Sequence, residues 1–180
     1  HSVKELRALG IQPEVLVCRA EQEIPRSLKD KIALFCSVTQ DAVFSCKDAS
    51  TIYEVPLLLH EEGLDTKVSA ILGLPLNRPD LSRWTDLMGR IRNPKGTVRI
   101  GIVGKYVEFK ESYKSLIEAL HHAGYGLELK VDLKWIEGEE IEAMGAAALL
   151  SDCQGVLIPG GFGIRGTRGM IEGIRYAREN

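Results

Sequence analysis

The segment best placed to do chemistry is Gly155-Val-Leu-Ile-Pro159-Gly160-Gly161-Phe162-Gly163-Ile-Arg165-Gly166, a short apolar run that passes through a glycine-dense turn into a helical pattern. Ligands of open parallel sheets collect beyond the carboxyl ends of strands, and glycines there let backbone N–H groups approach a ligand with no Cβ in the way. Two chemical readings compete. Gly161, Gly163 and Gly166 form a G-x-G-x-x-G, which after a strand and before a helix would grip the phosphates of a dinucleotide, as in a Rossmann-type oxidoreductase. Alternatively, Gly160 and Gly161 present amide donors to the oxyanion that develops when a carbonyl is attacked. A turn with no ligand, or a module that binds nucleotide without turnover, is the remaining reading. The oxyanion reading needs a nucleophile, yet none of Cys18, Cys36, Cys46 and Cys153 sits at a sharp strand-to-helix turn, and no serine lies in a G-x-S-x-G. The cysteines show neither C-x-x-C spacing nor a disulfide framework, so they read as small buried thiols.

The elements that must position this loop follow from periodicity. From Val98 onward, strand and helix patterns alternate strictly: 98–103, 112–123, 127–136, 139–150, 156–158 and 167–178, which implies crossover connections and a parallel sheet. Leu127, Leu129, Val131, Leu133 and Trp135 alternate with charged residues, so that strand should have one partly solvated face. Asn93-Pro94-Lys95-Gly96 is the clearest break and marks a linker. Before it, residues 3–9, 67–72 and 80–92 read as helices, and 14–18 and 43–46 as strands. Ser27 and Asp30 resemble a capping box for a helix through Phe35, and Pro56 suits a first helical turn that stops before Gly63.

The 180 residues carry 25 acids and 23 bases, with 44% hydrophobic content. That balance describes an ordinary globule, with no strongly basic nucleic-acid surface, and no apolar run reaches the length of a membrane span or forms a secretory signal. The expectation is a cytoplasmic protein with no nucleic-acid or membrane partner. The chain opens on His1 and ends on a helical stretch without a stop signal, which reads as a piece of something longer.

Six stretches, taken in order, resemble the CTP synthase family: His1-Ser-Val-Lys-Glu-Leu6; Lys31-Ile-Ala-Leu-Phe-Cys36; Ser50-Thr-Ile-Tyr53 with Val55-Pro-Leu-Leu58; Val103-Gly-Lys-Tyr106; Ser112-Tyr113 with Ile117-Glu-Ala-Leu120; and Pro159-Gly-Gly-Phe-Gly163 with Arg165-Gly166. The resemblance implies an α/β chain. Residues 1–92 would be the last part of a P-loop-like amidoligase domain and 93–96 the linker. Residues 97–180 would then be the first three strand-helix units of a class I glutamine amidotransferase with a parallel sheet. It implies a ligase that converts UTP to CTP with ATP, Mg2+ and ammonia from glutamine, activated by GTP and assembled as tetramers and filaments. By the same resemblance Lys31 contacts the pyrimidine nucleotide, and Lys47, Asp48 and Ala49 line the adenine of ATP, with Ala49 standing where the family often has valine. Gly160 and Gly161 bind glutamine and hold the oxyanion, while Tyr113 and Lys114 lie where nucleotide binding is coupled to glutamine hydrolysis. The family's magnesium carboxylates would precede His1, and its Cys, His and Glu would follow Asn180. No metal ligand or catalytic residue is then expected within the chain, and the chain alone should be inactive.

Overall fold

The structure is a computed structural model that describes every residue except Tyr106, Glu108, Phe109 and Phe162. The chain divides into two compact units, His1–Met88 and Gly89–Asn180.

In the first unit, helix α1 (Ser2–Ala8) leads to strand β1 (Leu16–Ala20), helix α2 (Arg26–Cys36) and strand β2 (Val43–Lys47). The strands pair in parallel, from Leu16 opposite Val43 to Ala20 opposite Lys47, so α2 is the crossover that a parallel pair requires. The start of α2 differs from the capping-box expectation. Pro25 is its N-cap, at φ −58° and ψ 148°, with no side-chain cap bond, and Asp30 instead accepts from Arg26 Nε at 3.2 Å. Proline's fixed φ places the cap two residues before Ser27. Beyond β2 come α3 (Val55–Glu61) and α4 (Leu64–Ile71), divided by Gly63 at φ +84°, and then α5 (Ser82–Arg92), whose last residues belong to the second unit.

A polar knot holds this unit together. Glu62, just past α3, accepts from Lys29 Nζ of α2 at 2.6 Å and from the Ser45 amide of β2 at 2.8 Å. Burial pushes the Glu62 carboxyl up, but the Lys29 and Ser45 bonds outweigh it and leave the group below its ordinary 4.5. Ser45 is itself buried, and its hydroxyl accepts from the Ile24 amide at 2.9 Å, tying the end of the β1–α2 loop to β2.

In the second unit, β3 (Gly96–Gly104) lies between β4 (Leu129–Glu137) and β5 (Gly155–Leu157) in an all-parallel sheet of order β4-β3-β5. The partly solvated strand of the sequence pattern is thus an edge strand. Crossovers are α6 (Lys114–Leu127) and then α7 (Gly138–Met144) with α8 (Ala146–Leu150), and α9 (Thr167–Glu179) follows β5. The single helix expected over 139–150 is two, because Gly145 at φ +86° and ψ 147° cannot continue the first. Val103, Ile136, Ile141 and Leu150 form the buried core.

Helices α7 and α9 meet backbone to backbone. A Cβ on Gly138 would run into the Gly166 carbonyl oxygen, and one on Gly169 into that of Gly138. At the other end of β3, Arg99 Nε donates to Asp132 at 2.6 Å and Arg99 Nη1 to Asp152 at 2.7 Å, while Lys134 Nζ reaches Asp152 at 2.8 Å. Lys134 and then Arg99 hold the Asp152 carboxyl at about 2 against an ordinary 3.8.

Three outcomes follow from this packing and charge. Gly169→Ala should lower the thermal midpoint sharply, by more than about 3 kcal/mol of stability. Gly89→Ala, in a helix with nothing within 4 Å of the added carbon, should raise it by up to about 1 kcal/mol. Because folding depresses the Asp152 pKa, its contribution is complete above 3.8 and disappears as pH falls through about 2. Denaturant midpoints measured from pH 5 to 2 should therefore fall less steeply in Asp152→Asn than in the parent chain.

Candidate functional site

The glycine-dense segment leaves the carboxyl end of β5, beside the last residues of β3. Strand β3 ends in Gly104, where a Cβ would lie 3.3 Å from Pro159 Cγ and 3.4 Å from the Tyr113 hydroxyl oxygen, so a larger residue would need the loop to give way slightly. Next comes Lys105, a lysine only 6% exposed. Its Nζ donates to the Gly163 carbonyl, and its own carbonyl accepts from Arg165 Nη2 at 2.6 Å. Arg165 also lies 3.7 Å from Glu139 on α7. The loop is therefore fastened at two points to the end of the central strand.

Within it, Gly163 at φ +81° and Gly166 at φ +64° take left-handed conformations, and Gly166 is the N-cap of α9. Gly160 and Gly161 are exposed, and their amide groups make no hydrogen bond to any described residue. The Cβ direction of Gly160 is open, whereas that of Gly161 faces the Lys105 side chain, 3.5 Å from Cδ. Two adjacent donors at a strand end, beside a buried cation, suit a negatively charged oxygen. The G-x-G-x-x-G reading has less room: the Gly163 carbonyl is taken by Lys105 and Gly166 is packed on Gly138, and the loop follows an edge strand instead of the central one.

The other residues singled out from sequence are scattered over their units. Lys31 is exposed on α2. Lys47 ends β2 and is exposed beside a cleft of about 100 Å3 that Glu23, Ser45 and Glu62 also line. Asp48 accepts from Arg19 Nε at 3.0 Å and donates its amide to Ala20, and Ala49 is half-buried. No hydrogen bond joins Lys31 to Lys47, Asp48 or Ala49. Tyr113 caps α6 and packs its ring 5.6 Å from that of Trp135, while Lys114 is exposed. All four cysteines are free and half-buried, and burial pushes the Cys18 and Cys153 thiols up, away from nucleophilic use.

Lys105 and Arg165 lie in stretches that carry the resemblance, which assigns neither a task. A lysine directly after an apolar strand was the available signal, since such a charge is buried only with partners. Tyr106 and Phe162 of the same stretches lie outside the described residues. Among the described residues, no group of three or more His, Cys, Asp or Glu could hold a metal ion, and no helix is long and apolar enough to cross a membrane.

Comparison with known proteins connects these parts. Residues 1–74 match the family model "CTP synthase N-terminus", and residues 108–180 match "Glutamine amidotransferase class-I". Over its whole length the chain is 54% identical to the CTP synthase of Oleidesulfovibrio alaskensis, of which it covers 33%, and 48% identical to that of a Synechocystis species, again covering 33%. A solved structure described as Trypanosoma brucei CTPS, glutaminase domain with bound acivicin, is 34% identical over 46% of this chain and 33% of that one, at a TM-score of 0.43. The dinucleotide-binding alternative is not favoured. With two successive family models and identity of about half along the whole chain, the sequence matches a segment of CTP synthase that is about a third of the length of the curated relatives.

Proposed function

We propose that this chain joins the two halves of an enzyme that makes CTP from UTP in the cytoplasm, using ATP and ammonia released from glutamine. In this reading residues 1–92 complete the amidoligase domain, 93–96 are the linker and 97–180 open the glutaminase domain. The observation that carries it is the pair of exposed amides at Gly160 and Gly161, fixed by Lys105 and Arg165 at the carboxyl end of a parallel sheet. When a thiolate supplied by the rest of the protein attacks the glutamine amide, the carbonyl oxygen gains charge, and the Gly160 amide donates to it with Gly161 as accessory. A fixed donor of this kind lowers the barrier by about 3–4 kcal/mol, because it needs no reorganisation at the moment of reaction.

In the first unit, Lys31 would meet oxygens of the pyrimidine nucleotide, and the backbone of Lys47, Asp48 and Ala49 would lie along the adenine of ATP. Lys47 is exposed at a strand end, where such a contact is open to solvent and ligand. Mg2+ accompanies ATP in the same proposal, and among the described residues no group of three or more His, Cys, Asp or Glu could hold it. GTP activation, with Tyr113 and Lys114 in the coupling, and assembly as homotetramers and filaments, belong to the same proposal.

The test separates the amide from the side-chain space. In the full-length enzyme, Gly160→Pro removes the donor, and glutamine-dependent CTP formation should fall by a factor of about 100–1,000 while ammonia-dependent formation persists. Gly160→Ala keeps the N–H and adds a carbon with nothing within 4 Å, so it should retain most glutamine-dependent activity. A parallel loss of ammonia-dependent activity in Gly160→Pro would overturn the assignment.

A further inference from the structure

At the amino end of the second unit's sheet, opposite the glycine loop, lies a cleft of about 410 Å3. Arg90 and Arg92 reach it from the last turn of α5, Lys130 from the start of β4 and His121 from α6. Among the described residues, no acidic one lines it. Glu128, whose carboxyl Arg90 helps to hold below its ordinary 4.5 after the larger effect of Lys95, is ion-paired with that lysine. Basic residues in a last helical turn are expected from the helix dipole alone, which accounts for Arg90 and Arg92. The dipole does not account for Lys130, which stands on a strand, or for His121, which stands in the middle of another helix. Three permanent cations from two separate elements converge on one concavity of ligand size.

The remaining wall is not polar. Tyr125 is half-buried there, with its ring centroid 6.3 Å from that of His121 one turn away, and Leu129 lies beside it. Guanidinium forks and an ammonium group match the oxygens of a polyphosphate, and a pair of aromatic rings over an apolar wall matches a planar base. From this arrangement we propose that the cleft binds a nucleoside polyphosphate, with its phosphates toward Arg90, Arg92 and Lys130 and its base against Tyr125. The site shares no residue with Gly160, Lys31 or the segment Lys47–Ala49. Its failure would leave the glutaminase assignment standing, and the reverse also holds.

Calorimetric titration of the 180-residue chain with ATP and with inorganic tripolyphosphate tests it. Expected are saturable binding of both probes, tighter for ATP, and at least tenfold weaker binding in Arg90→Gln/Lys130→Gln. Tyr125→Ala should remove the advantage of ATP over tripolyphosphate, whereas Lys4→Gln/Arg175→Gln, exposed and outside the cleft, should leave both affinities unchanged. Arg90 and Lys130 are exposed, and a cooperative melt would verify that their glutamine variants fold. In the unsubstituted chain, ATP should also shift the ring resonances of Tyr125 and His121. Absence of saturable binding, equal affinity of the two probes, full affinity in Arg90→Gln/Lys130→Gln, or unmoved Tyr125 and His121 resonances would each overturn the proposal.

Discussion

The second unit depends on one close approach, the contact of α7 with α9 through Gly138, Gly166 and Gly169. Helix pairs usually stand 8–10 Å apart, held off by side chains. Here the start of each helix presents bare backbone, and the Gly169 amide donates to Glu142 on α7 at 3.0 Å. That contact fixes where α9 begins, and the loop from Ile158 to Arg165 must then run from β5 to that point in eight residues. A side chain at Gly138 or Gly169 would move the helix, and the loop with it.

The loop is held from its other side by Lys105. A buried ammonium group is costly unless its charge is met, and the carbonyl of Gly163 turned toward it supplies part of that compensation. Gly163 can turn its carbonyl in this way because its φ of +81° is open to glycine at little cost. Arg165 completes the exchange by donating to the Lys105 carbonyl, so strand end and loop each satisfy a polar group of the other. The glycines of this segment thus divide into those that shape the backbone, Gly163 and Gly166, and those left open toward solvent, Gly160 and Gly161.

Much of this was legible in the residues. Strict alternation after Val98 specified a parallel sheet because apolar strands and amphipathic helices have different periods. The cap of α2 was misread because a Ser and an Asp at capping-box spacing lose to a proline that begins the helix earlier. The break at Gly145 was missed because an isolated glycine in a helical pattern is often tolerated. The fastening of the loop was not legible, since Lys105 and Arg165 lie 60 residues apart and only the sheet brings them together. In the first unit, residues matched one at a time to a family pattern said nothing of mutual distance. The Glu62–Lys29–Ser45 knot involves none of them.

Strand β5 is only three residues long and pairs with β3 across a separation of 55 residues, from Ile100 to Gly155. Closing so long a loop for so short a ladder is entropically unfavourable until other contacts share the task. Gln154 accepts from the Arg99 amide and Asp152 from the Arg99 guanidinium, which brings the strand into register before its own ladder begins. Strand β5 and the glycine loop beyond it should therefore be late to form and early to open, with amides that exchange hydrogen faster than those of β3 and β4. The geometry of the two donor amides then rests on an ionic latch at the far end of the sheet.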